Sequence, residues 1–194
     1  MKITGGFLKG RSLYCPSKSA FEIRPLRTRI RKALFDILGD DLSGIKVLDL
    51  FAGTGALGIE ALSRGAEFIV FVDASPKSVE LIKKNLERFN LLDKALILKL
   101  SLPHGLNKLK FKQIQCIKHL EWSFDLVFIT PPYRSGLSLM TLENLPKEIL
   151  KPTSLIVVEE ESEIDLPHET LEFKLEERRT YDETTLHFYR LKEA

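Results

Sequence analysis

Two short stretches carry the residue types and spacings from which chemistry can be built. The first, "DLFAGTGALG" at residues 49–58, holds Gly53, Gly55 and Gly58 as G-x-G-x-x-G. Glycines there let the backbone turn tightly and let a ligand lie against it with no Cβ in the way. Asp73 stands 20 residues beyond Gly53, at the end of the apolar run "FIVFVD", where a carboxylate can accept from both hydroxyls of a ribose. The triplet alone fits a plain tight turn. With an acid in register behind it, the reading moves to a nucleoside-containing cofactor, with Phe51 and Ala74 as further members of the candidate set. Asp49 narrows the choice, because a carboxylate four residues before the first glycine would repel a dinucleotide's pyrophosphate yet can hold the ammonium of an amino-acid moiety. That favours S-adenosylmethionine over NAD.

The second stretch is "DLVFITPPYRSG", residues 125–136, a strand-forming run that stops on Pro131 and Pro132. Pro131 has no N–H to give and Pro132 stiffens the turn, so carbonyls around residues 130 and 131 are expected to face outward as acceptors. An exocyclic amine of a base is a poor nucleophile, its lone pair delocalised into the ring. Acceptors for its two hydrogens favour the pyramidal, attacking form. Tyr133 would stack on a base drawn out of its helix. The candidate catalytic set is Thr130, Pro131, Pro132 and Tyr133, against the plainer reading of a Pro-Pro loop over a core tyrosine.

Charge adds a third signal. Residues 1–35 contain nine Lys and Arg against one acid, Glu22, while the 194-residue chain nets +2. A concentrated basic segment on a mildly acidic body fits a protein that docks a polyanion with one face. Lys9, Arg11, Arg24, Arg27, Arg29 and Arg31 are the candidate phosphate contacts. Ile30, Ala33, Leu34, Ile37 and Leu38 form one helical stripe, with Thr28 able to cap it and Gly39 to end it, which turns Arg29, Arg31 and Lys32 towards solvent. "MKITGGFLKGRSLYC" ahead of it reads as short strands turning at Gly5-Gly6 and Gly10.

The elements that must position these residues alternate from residue 45 onward. Strands are expected at "KVLDLF", "FIVFVD", "ALILKL", "FDLVFI" and "SLIVVEE", and helices at "ALGIEALSRG", "SPKSVELIKKNLERF" and "LSLMTLENLPKEIL". Ser75 caps the second of these helices with Pro76 at its first position. Apolar runs such as "FIVFV" read as strands covered on both faces, so a parallel sheet wrapped by helices is expected. "LEFKLEERRTYDETTLHFYRL" reads as an antiparallel hairpin along one edge. Residues 102–120 are expected to hold a lysine-rich helix, and Glu159, Glu160 and Glu161 a solvated acidic rim. The expected organisation is a single domain over 1–194, with a basic extension at 1–40 and a catalytic core at 41–194.

Composition excludes several classes. With 44% hydrophobic and 29% charged residues the chain is globular. No signal peptide or run of about 18 apolar residues is visible, so a cytoplasmic protein with no membrane partner is expected. Cys15 and Cys116 cannot build a disulfide framework, no Cys/His cluster has metal-ligand spacing, and no metal is expected. Cys15, in the N-terminal hairpin, is poorly placed for the nucleophile of a cytosine-C5 methyltransferase.

The stretches "ITGGFLKGRSL", "RPLRTRIRKALFDIL", "VLDLFAGTGALGIEALSRGA", "FVDASPKSVELIKKNL" and "YDETTLHFYR", with "PPY" between, resemble the bacterial family of 16S rRNA guanine-N2 methyltransferases over nearly the whole chain. The resemblance implies an α/β fold: a Rossmann-like class I S-adenosylmethionine-dependent methyltransferase with a mostly parallel seven-stranded sheet, an antiparallel C-terminal hairpin and a small basic N-terminal β-hairpin and helix. It implies S-adenosyl-L-methionine as donor, a guanine amine as acceptor, and 16S rRNA in the assembling small ribosomal subunit as partner; separately, a monomer is expected. Two departures stand out. Thr130 replaces the Asp or Asn that precedes "PPY" in the family, and Ser101 stands where the third strand usually ends in an acid near the cofactor's adenine. A neutral hydroxyl accepts less strongly than a carboxylate, so both changes point to reduced activity. An adenine-N6 DNA methyltransferase and a low-activity RNA-binding assembly module of the same fold are the alternatives.

Overall fold

The structure, a computed structural model, describes residues 1–15, 28–110 and 123–192. These fall into two compact units, Met1–Lys99 and Leu100–Ala194. In the first, α1 (Thr28–Leu38), β1 (Lys46–Leu50), α2 (Ala56–Ser63), β2 (Phe68–Asp73), α3 (Pro76–Arg88) and β3 (Ala95–Lys99) follow one another. The second holds α4 (Asn107–Lys110), β4 (Phe124–Ile129), α5 (Leu137–Glu143), β5 (Leu150–Glu161), β6 (Phe173–Tyr181) and β7 (Thr184–Leu191). The seven strands form a mixed sheet, ordered β3-β2-β1 in the first unit and β4-β5-β7-β6 in the second.

In the first unit all pairing is parallel, with Asp49 opposite Phe71 and Asp73 opposite Lys99. Val47, Leu48, Leu50 and residues 69–72 are buried, as unbroken apolar runs in a doubly covered parallel sheet must be. α3 begins as its sequence demands: the Ser75 side chain accepts from the Ser78 N–H at 3.3 Å, and Pro76 occupies the first turn. In the second unit β4 runs parallel to β5, and β7 runs antiparallel to both β5 and β6. The expected C-terminal hairpin is thus present. α5 is shorter than its sequence pattern indicates, ending at Glu143 where the Asn144 side chain donates to the Met140 carbonyl and Pro146 follows. Of the helix expected within 102–120, α4 gives one turn, and residues 111–122 lie outside the described residues.

The N-terminal stretch differs from the expected strands. Lys2 and Ser12 form a single antiparallel bridge, and the chain between them folds onto α2. Phe7 N–H donates to the Ser63 carbonyl at 2.8 Å and the Ser63 hydroxyl donates to the Gly5 carbonyl at 2.7 Å. A Cβ on Gly6, where φ is +69°, would lie 1.8 Å from the Ser63 carbonyl oxygen, so only glycine fits.

α1 also corrects the sequence reading. Its buried residues are Ile30, Arg31, Leu34 and Phe35. Arg31 is 0% exposed, not turned to solvent. Its guanidinium donates to the Met1 sulfur and the Lys2 carbonyl, and its Nε lies 3.3 Å from Glu60 Oε2. Glu60, equally buried on α2, also accepts from the backbone and hydroxyl of Thr4 and from Arg64. The Arg31–Glu60 pair therefore ties α1 and the N-terminal stretch to α2, and Arg31 is withdrawn from the phosphate contacts.

Candidate active site

The first unit assembles most of the candidate cofactor residues at the carboxyl ends of β1 and β2. The chain leaves β1 through Phe51 at φ +60°, Gly53 at +56° and Gly55 at +75°, left-handed conformations that glycine adopts freely and phenylalanine at a cost. Asp73 holds this loop in place. Its Oδ2 accepts from the Gly53 N–H and its Oδ1 from the Ser75 N–H, each at 2.8 Å. A carboxylate offers about four lone-pair positions, so two remain for a diol. Ala74 is exposed beside it.

Asp49 is 1% exposed. Its Oδ2 accepts from the Gly58 N–H at 3.1 Å, and its Oδ1 is buried without a partner. Burial pushes this carboxyl up to about 7, opposed by the Gly58 N–H and reinforced by the negative charge of Asp73. A buried acceptor with an unused lone pair is the kind of group that a cationic ligand completes. Gly58 is required for packing: a Cβ there would lie 2.2 Å from the Phe71 ring and 3.2 Å from Asp49 Oδ2. The loop has a further brace that the sequence reading missed. Asn85 of α3, fully buried, donates to the Thr54 carbonyl at 3.1 Å.

The second unit assembles the other set. β4 delivers Thr130 half-buried, Pro131 buried, Pro132 exposed and Tyr133 half-buried. The Pro132 carbonyl accepts from the Ser135 hydroxyl at 2.6 Å, which closes the turn. Tyr133 is anchored by its tip: the phenol donates to Glu159 Oε1 at 2.6 Å and lies 2.8 Å from the Thr184 hydroxyl. Ser101 also lies in this unit, exposed, its carbonyl accepting from the Gly105 N–H at 2.7 Å.

The acidic run at the end of β5 is not the solvated rim expected. Glu159 is 6% exposed and Glu160 1%, because β7 stays paired with β5 through Glu161. Burial pushes the Glu159 carboxyl up to about 7 despite the Tyr133 hydroxyl, and the neighbouring Glu160 adds to the rise. Glu160 accepts from the Ser138 hydroxyl at 2.5 Å, and Glu161 pairs with Arg134 at 2.6 Å.

Of the candidate phosphate contacts, Lys9, Arg11 and Arg29 are exposed, and Arg24 and Arg27 lie outside the described residues. Among the described residues no cluster of His, Cys, Asp and Glu could hold a metal ion, and no helix is long and apolar enough to cross a membrane.

Residues 1–190 match the family model described as "Conserved hypothetical protein 95". The chain belongs to that family. Among similar proteins, ribosomal RNA small subunit methyltransferase D of Escherichia coli (strain K12) is 32% identical, over 86% of this chain and 78% of its own. The protein of the same name from Buchnera aphidicola subsp. Acyrthosiphon pisum (strain APS) is 35% identical, over 82% of this chain and 77% of its own. The solved structure of a hypothetical protein from Thermus thermophilus superposes with a TM-score of 0.74 at 31% identity, covering 97% of this chain and 98% of that one. The α/β fold is therefore shared with the Thermus protein, and the sequence relatives from Escherichia coli and Buchnera carry the name of rRNA methyltransferases.

Proposed function

We propose that this chain is an S-adenosyl-L-methionine-dependent enzyme that methylates the exocyclic N2 of a guanine in 16S rRNA of the assembling small ribosomal subunit. The observation that carries the reading is the pairing of Asp49 and Asp73 about a glycine loop: one buried acid with an unsatisfied oxygen, one acid with two lone pairs to spare. The names of the Escherichia coli and Buchnera relatives support the substrate class.

When bound, S-adenosylmethionine supplies an electrophilic methyl on a sulfonium. The chain's own residues do the rest. Asp49 receives the ammonium and Asp73 the ribose hydroxyls, while the glycine turn admits the ligand to the main chain. Thr130 and the Pro131 carbonyl accept the two hydrogens of the guanine amine, which localises the lone pair on nitrogen, and the Tyr133 ring holds the face of the base. Held there, that nitrogen would receive the methyl, and the departing thioether would keep the S–C bonding pair. The nitrogen then sheds its extra proton to solvent, so no strong base is needed. Lys9, Arg11, Arg24, Arg27 and Arg29 contact phosphates.

The reading is tested by digesting 16S rRNA from cells with and without the gene and analysing nucleosides by mass spectrometry. Deletion is expected to remove one N2-methylguanine, restored by the parent gene. An unchanged nucleoside profile contradicts the reading.

A further inference from the structure

We propose that Tyr14, Arg88 and Arg11 form a stacking platform for single-stranded RNA, an assignment that rests on the reading of RNA as substrate and adds where the strand is held. Tyr14 is 50% exposed, and both of its main-chain polar groups are clamped by one buried side chain. Its N–H donates to Asn85 Oδ1 at 2.7 Å and its carbonyl accepts from Asn85 Nδ2 at 3.1 Å. The main chain that carries this half-exposed ring is thus fixed in position, whereas an incidental surface tyrosine has no need of such a clamp. The Arg88 guanidinium lies 4.5 Å from the centre of the Tyr14 ring and 5.8 Å from that of Phe89, and Arg11 lies 5.6 Å from Phe89.

The acids of α3 are committed to lysines, Glu80 to Lys84 and Glu87 to Lys83, and among the described residues no carboxylate pairs with Arg11 or Arg88. One planar cation over the Tyr14 ring and a second over the adjacent Phe89 match both things a single strand presents, with a π-face for a base and donors for phosphate. An acidic protein would use the charges and leave the ring idle. The same Asn85 also donates to the Thr54 carbonyl between Gly53 and Gly55, so one side chain fixes the platform relative to the cofactor loop. Neither Tyr14 nor Arg88 stands out in the sequence as an RNA contact, since Arg88 lies outside the basic segment and meets Tyr14 only through the fold.

The test is binding of a fluorescein-labelled, ten-nucleotide single-stranded RNA to the full chain and to Tyr14→Ala, Tyr14→Phe and Arg88→Ala, with S-adenosylhomocysteine binding to show that the fold is intact. Tyr14→Ala and Arg88→Ala are each expected to weaken RNA binding about tenfold, and Tyr14→Phe to stay within about twofold of the parent. Arg88→Ala should also flatten the salt dependence by about one counterion, which Tyr14→Ala should not. Parent-like RNA affinity in Tyr14→Ala overturns the platform, as does binding of a polyglutamate peptide where RNA fails to bind. If the parent methylates small subunits and Tyr14→Ala does so with unchanged KM, the platform falls while the substrate reading stands. If the parent binds RNA through Tyr14 but transfers no methyl, the substrate reading falls and the platform stands.

Discussion

Asp49 and Glu159 are two buried carboxyls with the same perturbation and different assigned tasks. Asp49 is raised to about 7 by burial, so in the unliganded fold the protonated form is favoured below that pH, and its contribution to stability is full below about 4 and lost as pH rises through about 7. A ligand ammonium reverses the preference, because it needs the ionised form. S-adenosylhomocysteine affinity measured by calorimetry is therefore expected to fall as pH drops below about 7. Asp49→Asn should lower affinity about tenfold at pH 8 and flatten that profile, since a charge-assisted bond is exchanged for a neutral one. A profile in the variant that still bends near 7 would show that another group receives the ammonium. Glu159 acts through Tyr133, whose hydroxyl it accepts. Glu159→Ala is expected to lower kcat about tenfold with cofactor affinity unchanged, by loosening the ring that holds the base, and Glu159→Gln to recover most of it because its amide oxygen accepts the same bond. Equal losses in the two variants would remove the positioning role.

The helices and strands were legible where one periodicity governs a run. β4 was expected at residues 124–129 and is found there, and Ser75 and Pro76 marked the start of α3 from composition alone. Legibility failed where a distant residue decides burial. Arg31 looks like a surface cation on a basic helix, but Glu60 on α2 supplies a buried counter-charge, and no spacing within α1 reveals that. Glu159 and Glu160 look like a solvated end because charged residues are seldom buried, yet antiparallel pairing with β7 carries β5 through them. The candidate site shows the same division: the glycine loop and its two acids could be read from residue spacing, whereas Asn85 and Glu159 needed contacts between elements. The Arg31 correction is directly testable. Arg31→Ala should cost about 1–3 kcal/mol of stability, because Glu60 keeps Arg64 and Thr4 but loses one of its two buried cations, seen as a lower denaturation midpoint. Arg29→Glu, on the exposed side, should leave the midpoint unchanged and weaken RNA binding. If Arg31→Ala weakens RNA binding at unchanged stability, its assignment to the core is wrong.

Across the whole chain, two compact units divide the proposed work. Met1–Lys99 carries Asp49, the glycine loop, Asp73 and the exposed cations Lys9, Arg11 and Arg29, whereas Leu100–Ala194 carries Ser101, Thr130, Pro131, Pro132 and Tyr133. Membership of the family rests on residues 1–190, and so spans both units. Thr130 is the point at which this chain tests its own chemistry, because it offers one neutral hydroxyl oxygen where the resembling family has Asp or Asn. If the Pro131 carbonyl completes the acceptor pair, Thr130 suffices. The most direct measurement is transfer of labelled methyl from S-adenosylmethionine by the purified chain to small ribosomal subunits from cells lacking it, with the labelled nucleoside identified by mass spectrometry. N2-methylguanine in 16S rRNA is the predicted product. Label in another nucleoside, or none while cofactor and RNA are both bound, would contradict the account.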